Sequence, residues 1–293
     1  MIDGLIDPLK FEFMRNALAM AIMLGVLCAV VGSYMIVQQM SMMGDMISHS
    51  VLAGLPIAVF LDLPLSVGAV VAGVISTVVL SGIESQSRLK IDSVMALILA
   101  SFLAIGSTLV TVLPGANRID LLHILFGNIL GVTRSDLLLT FGITILILIV
   151  VWLFYKELLF YTFDPLGAQA EGMPVRWYYL GIVTAISLTV VANLQTVGVL
   201  LMIAMLVAPG MTAYLLVKEL HQMMLLGAGL GALAGVVGMY LSYYLDIPSG
   251  SAIVLVAFGL FLLAFLLSPS QGVLTQSRRL KAQEVGSLRN IGK

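Results

Sequence analysis

Polar and charged residues in this chain fall in short clusters that separate long apolar runs. Nine runs stand out: Met14–Val37, Asp45–Leu61, Pro64–Gly82, Ile91–Leu113, Ser135–Tyr155, Trp177–Leu194, Thr196–Val217, Met223–Tyr244 and Gly250–Leu267. A helix needs roughly 20 apolar residues to cross a bilayer. Each run therefore predicts a membrane-spanning α-helix, since a helix satisfies its own backbone hydrogen bonds in lipid. A tenth piece, Ile119–Leu130, is too short to span alone and reads as a half-helix or an extension of the next span. The prediction is an all-α, polytopic membrane protein of eight or nine spans. It divides into an N-terminal segment (1–13), a transmembrane domain (14–268) and a cytoplasmic tail (269–293).

Composition agrees with the pattern. Of 293 residues, 60% are hydrophobic and 10% charged, with mean hydropathy +1.12. Soluble domains carry roughly 25% charged residues, and a soluble chain this apolar would expose large apolar patches. A formal net charge of −1 argues against nucleic acid as a partner. The single cysteine, Cys28, excludes an internal disulfide or a cysteine zinc cluster and is expected to pack as a small hydrophobe. Residues 1–12 are too charged for a cleavable signal peptide. A cytoplasmic C-terminus places 10 of the 14 Lys and Arg residues in inward-facing segments, as the positive-inside rule expects. The side of the N-terminus depends on whether eight or nine spans are counted.

Against this background, Gly44-Asp45-Met46-Ile47-Ser48-His49 is unusual. Asp45 and His49 are four residues apart, so on a helix they share a face. A carboxylate with an imidazole suits Mn²⁺, Zn²⁺ or Fe²⁺, and ionisable groups within a span are functional candidates by default. The structural alternative is that Asp45 caps the helix and His49 bonds a nearby carbonyl. Met35, Met40, Met42, Met43 and Met46 surround the pair; they suggest packing more than a Cu(I) site, because the adjacent ligands are hard. His123 reads as a helix-end histidine, His221 as a solvated turn residue, and Asp246 with Pro248 as an outer turn.

Two further stretches carry information. Gly227, Gly231 and Gly235, with Gly238 beyond them, form a small-residue face for close helix packing, within the chain or against a second copy. In Phe163–Met173, Asp164 is placed to cap a short helix, Pro165 to open it and Gly172 to stop it. Such a helix on the cytoplasmic face suits docking into a partner's groove or lying on the membrane surface. The chain has no nucleotide-binding P-loop and neither hydrolase motif, His-Glu-x-x-His or Gly-x-Ser-x-Gly, so it is expected to be no enzyme and to need no cofactor.

These stretches together resemble the membrane permease of metal-ion ABC importers, most of all the manganese permeases. The resemblance rests on Met40–Asp45 with Ser48 and His49, on Phe126–Val132, on Phe163-Asp164-Pro165 with Ala168, Ala170 and Gly172, on Gln195–Leu201 with Pro209, and on Asp246–Gly250 with Ile253–Leu255. It implies an ABC importer permease fold in the cytoplasmic membrane, paired as a homodimer. Cytoplasmic ATPase subunits would engage the coupling helix at Phe163, Asp164 and Gly172. An extracytoplasmic metal-binding protein would deliver the ion, and Asp45 and His49 would hold it in the pathway. Mn²⁺ is the expected substrate, with Zn²⁺ and Fe²⁺ behind it. Gln38-Gln39 depart from the family, whose members are often basic there. An ion-coupled secondary transporter would place more ionisable groups within its spans. A membrane metalloenzyme would need three protein ligands and an open position on one ion.

Overall fold

A computed structural model describes residues 7–87, 89–115 and 127–268. After a 3-10 turn at Asp7–Lys10 come α1 (Glu12–Val37), α2 (Met43–Phe60), α3 (Leu65–Gln86), α4 (Ile91–Val112) and, beyond a second turn at Ile129–Gly131, α5 (Arg134–Leu153). The short helices α6 (Tyr155–Phe163) and α7 (Pro165–Ala170) follow, then α8 (Val175–Val197), α9 (Val199–Leu216), α10 (Leu220–Leu245) and α11 (Ser249–Leu267). Among the described residues nine helices, all but α6 and α7, are long and apolar enough to cross a membrane. Most of the Ile119–Leu130 segment, and His123, lie outside the described residues. An ion pair between Arg134 Nη2 and Glu12 Oε1 (2.7 Å) sets the starts of α5 and α1 on one face.

The two most buried helices, α1 and α2, organise the bundle. Of the most apolar window of each, 72% is buried, against 22% for α4, α5 and α11. Lipid is as apolar as leucine, so burial inside the bilayer gains little from hydrophobicity; close packing must hold the helices together. Glycine supplies it. In the antiparallel α1–α10 pair, Gly25 lies on the backbone of Gly231 and Ala232, Gly235 on Ala21 and Gly227 on Ala29. The small-residue face of α10 is thus an intrachain surface, continued by Gly238 against Ile253 of α11. Gly32 of α1 abuts the Leu206 carbonyl of α9; Gly54 of α2 abuts the Gly68 carbonyl of α3, and Gly106 of α4 the Leu52 carbonyl of α2. Cys28 is fully buried as a free thiol within this packing.

The boundary between α8 and α9 falls at Gly198, later than the apolar pattern suggested at Thr196. Gly198 has φ +85° and ψ 159°, a region open essentially to glycine alone, so the helix continues until it reaches the one residue that can make the turn. The backbone of Gly127 packs directly onto this turn, and Asn128 N donates to Thr196 O (3.2 Å).

The glycine seat has a direct test. A Cβ on Gly231 would lie 2.7 Å from the Gly25 carbonyl oxygen, whereas one on Gly229 would meet nothing within 4 Å. Alanine is the better helix former by about 1 kcal/mol, but overpacking against backbone costs about 1–3 kcal/mol. Gly231→Ala should therefore lower the unfolding midpoint in detergent while Gly229→Ala leaves it unchanged or raises it. Equal midpoints for the two variants would contradict this packing.

Candidate metal site and coupling surface

α1 ends at Val37, and the chain reverses through Gln38–Met42. Gln39 adopts a left-handed conformation (φ 59°). Met40 N donates to Met35 O (2.8 Å) and Met43 N to Met40 O (2.9 Å). Gln38 Nε2 donates to Thr162 Oγ1 of α6 at 3.2 Å, so the uncharged glutamine anchors this turn to the segment that precedes α7. Met35, Met40, Met43 and Met46 are buried in the core, consistent with packing, while Met42 is exposed.

α2 opens at Met43 with Met42 in the N-cap position and no side chain capping it. Asp45 sits within the first turn. Its Oδ1 lies 3.2 Å from Nε2 of His49, one turn along the same face. The side chains of Asp45 and His49 are 30% and 21% exposed, respectively, so the pair is reachable without being solvated on all sides. His49 Nδ1 and Ser48 Oγ are buried and have no hydrogen-bond partner among the described residues. The Asp45 carboxylate therefore faces an imidazole, and the structural alternative of capping does not describe its contacts.

The depth of the pair follows from its neighbours. Gly44 faces the Leu206 side chain, near the middle of α9, and Ile47 and Val51 flank Gly73, near the middle of α3. Asp45 and His49 consequently stand beside the central parts of two spans, not in the aqueous layer at their ends. One carboxylate oxygen and one imidazole nitrogen on a common face can offer two ligands to a borderline divalent cation. Among the described residues no group of three or more His, Cys, Asp or Glu side chains comes together.

The predicted short helix is α7. Asp164 is its N-cap and accepts a hydrogen bond from Gly167 N (2.8 Å), with Pro165 in the first turn. A Cβ on Gly167 would strike the Asp164 carboxylate. At the other end Met173 N donates to Ala168 O (3.0 Å) and Gly172 takes φ +79°, the left-handed glycine stop. Ala168 is fully buried, while Phe163 and Leu166 are 59% and 79% exposed. The end of α6 and the start of α7 thus expose two large apolar side chains, Phe163 and Leu166. The base of α7 is steadied by α6, where Tyr161 stacks on Tyr178 of α8 (centroids 6.3 Å apart). Burial, reinforced by the Glu84 carboxylate, pushes the Tyr161 phenol up to about 12.

Several polar contacts between spans had no signature in the apolar pattern. Thr140 Oγ1 of α5 donates to Asn193 Oδ1 of α8 (2.6 Å), and Asn193 Nδ2 donates to Thr189 O (2.9 Å). Thr77 of α3 and Ser187 of α8 share a hydrogen bond of 3.1 Å. A lone Asn in an otherwise apolar run was the available signal for the first of these. Asp246 takes a left-handed conformation (φ 52°) in the turn between α10 and α11. His221 lies in the first turn of α10, with Nε2 3.3 Å from Glu219 Oε2.

Comparison with known proteins agrees with this architecture. The chain is 44% identical over 273 residues to the manganese transport system membrane protein MntC of Halalkalibacterium halodurans, covering 93% of each. It is 41% identical to the manganese import system permease protein ScaB of Streptococcus gordonii, covering 92% of this chain and 95% of ScaB. Among solved structures, a chain of PsaBC from Streptococcus pneumoniae, in complex with Fab, superimposes with TM-score 0.82 at 40% identity, covering 94% of this chain and all of that one. The family model for the ABC 3 transport family matches residues 10–268, and with nine helices among the described residues long and apolar enough to cross a membrane, this chain is a multi-pass membrane permease that belongs to the ABC 3 transport family.

Proposed function

We propose that the chain is the permease subunit of an ATP-driven importer of Mn²⁺, in which Asp45 and His49 contact the ion as it crosses the membrane. The observation that carries the reading is the pairing of a carboxylate and an imidazole at 3.2 Å on one helix face, at the depth of the middles of α3 and α9. Mn²⁺ is favoured by the naming of MntC and ScaB as manganese permeases and by a donor set of oxygen and nitrogen without thiolate. Zn²⁺ and Fe²⁺ accept the same donors and are the competing ions.

The described residues supply two donors at this point, and a second copy of the chain would complete the set, so two copies pair around the pathway and an extracytoplasmic metal-binding protein loads the ion from outside. ATP is hydrolysed by separate cytoplasmic subunits. These grip α7 and the end of α6 through the exposed Leu166 and Phe163, while the Asp164 cap and the Gly172 stop hold α7 in shape.

Two outcomes test the proposal. Asp45→Asn keeps shape and capping ability but removes the anionic oxygen, and His49→Ala removes the nitrogen. Loss of a ligand should lower Mn²⁺ uptake by cells at least about ten-fold, with membrane insertion intact; normal uptake by inserted Asp45→Asn protein would falsify the assignment of the pair. On the cytoplasmic side, Asp164→Lys and Gly172→Val should each reduce metal-stimulated ATP hydrolysis by the assembled transporter without reducing insertion. Valine at a left-handed position costs about 1–3 kcal/mol of strain, enough to unsettle a helix of 6 residues. Wild-type coupling in both variants would remove α7 as the docking element.

A further inference from the structure

The reversal between α1 and α2 sets where Asp45 and His49 stand. It ends at Met42, and Met46 N already donates to Met42 O (2.9 Å), so a displacement of the reversal reaches both side chains within about two turns of helix. The reversal itself is strained. Gln39 is exposed and left-handed (φ 59°), a conformation that a residue with a Cβ rarely adopts. Such backbone persists only where surrounding contacts fix it. One of those contacts reaches across the fold: Gln38, the residue that ends α1, donates from Nε2 to Thr162 Oγ1 at 3.2 Å.

Thr162 belongs to a segment jointed at both ends. Phe154 (φ −103°, ψ 23°) interrupts the passage from α5 into α6, and Gly172 (φ +79°) stops α7 before α8 begins. Between those joints Asp164 ties α6 to α7: its N donates to Phe160 O (2.9 Å) and its O accepts from Ala168 N (3.0 Å). Nor is α6 closed against α1. Tyr34 of α1, Leu158 of α6 and Tyr178 of α8 line a groove of about 580 Å³. Gln38 and Thr162 lie one turn beyond Tyr34 and Leu158, so their hydrogen bond joins the two helices at the end of that groove. Both partners are neutral, and Gln38 is half-buried. The contact can therefore part and re-form without stranding a buried charge. We propose that Gln38 is a positioning residue for transport: through Thr162 it makes the placing of Asp45 and His49 depend on the placing of α6 and α7, a role that presupposes the ion contact at that pair and the docking of ATPase subunits on α7.

The test compares Mn²⁺ uptake per ATP hydrolysed in the complete transporter, reconstituted in vesicles with its ATPase subunits and metal-binding protein. Thr162→Val keeps the shape of the side chain and removes the hydroxyl. Gln38→Met keeps its length and removes the amide. Each should lower uptake per ATP about three-fold, while unstimulated hydrolysis and the unfolding midpoint in detergent stay at parental values. Thr162→Ser, which retains the hydroxyl, should match the parent. The double variant Gln38→Met/Thr162→Val should be no worse than either single one, because the two side chains make one contact. Parental uptake per ATP in both single variants, losses that multiply in the double variant, or an equal loss in Thr162→Ser would each overturn the link. So would a matching fall in unstimulated hydrolysis or midpoint, which marks a purely structural bond. Gly172→Val in the same assay separates this link from the docking role of α7. If it loses metal stimulation while Gln38→Met and Thr162→Val do not, the link alone fails; if it too behaves as the parent, α7 is not the docking element and the link falls with it.

Discussion

Direct backbone contact between helices, permitted by glycine, is the constraint on which this protein depends. In water a helix pair gains stability by removing apolar surface from solvent, but in lipid that term nearly vanishes. What remains is dispersion between well-matched surfaces, and it is greatest where backbones approach most closely. Gly25 on Gly231, Gly32 on Leu206 and Gly54 on Gly68 are such approaches. They hold α1 and α2 at the centre of the bundle, while α4, α5 and α11, with far less of their length covered, face outward.

That arrangement explains how a polar pair persists among apolar spans. α2 begins where Gly44 meets Leu206 of α9 and passes Gly73 of α3, so Asp45 and His49 are carried to the depth of their neighbours' centres. Isolated, either side chain would be costly there. Set 3.2 Å apart and still partly exposed, each moderates the other. The neighbouring reversal has a polar tie of its own, since Gln38 reaches Thr162 across 124 positions of sequence. This single hydrogen bond ties the turn between α1 and α2 to the segment leading into α7, so the candidate ion site and the candidate docking helix share a mechanical neighbour.

The same bundle uses buried polar contacts sparingly. Thr140 with Asn193 and Thr77 with Ser187 each join α8 to another span, at roughly 1 kcal/mol or less apiece in membrane proteins. Their value is directional: they fix the rotation of α8 relative to α5 and α3, which apolar packing leaves loosely specified. α8 also carries Tyr178, the ring on which α6 stacks, so its rotation sets the platform beneath α7.

The sequence by itself determined the class of protein, the positions of nearly all spans and the short capped helix. Each of these follows from local chemistry: the length of an apolar run, the side chain of Asp164, the freedom of Gly172. It also brought out Asp45 and His49, because helical periodicity puts residues four apart on one face. Only the tertiary structure decided that Gly227, Gly231 and Gly235 pack within the chain, since a small-residue face is the same whichever partner it meets. Tertiary contacts likewise paired Asn193 with Thr140. Depth in the bilayer, the partner of a small face and the pairing of distant polar groups depend on contacts between segments remote in sequence, and no local pattern encodes them.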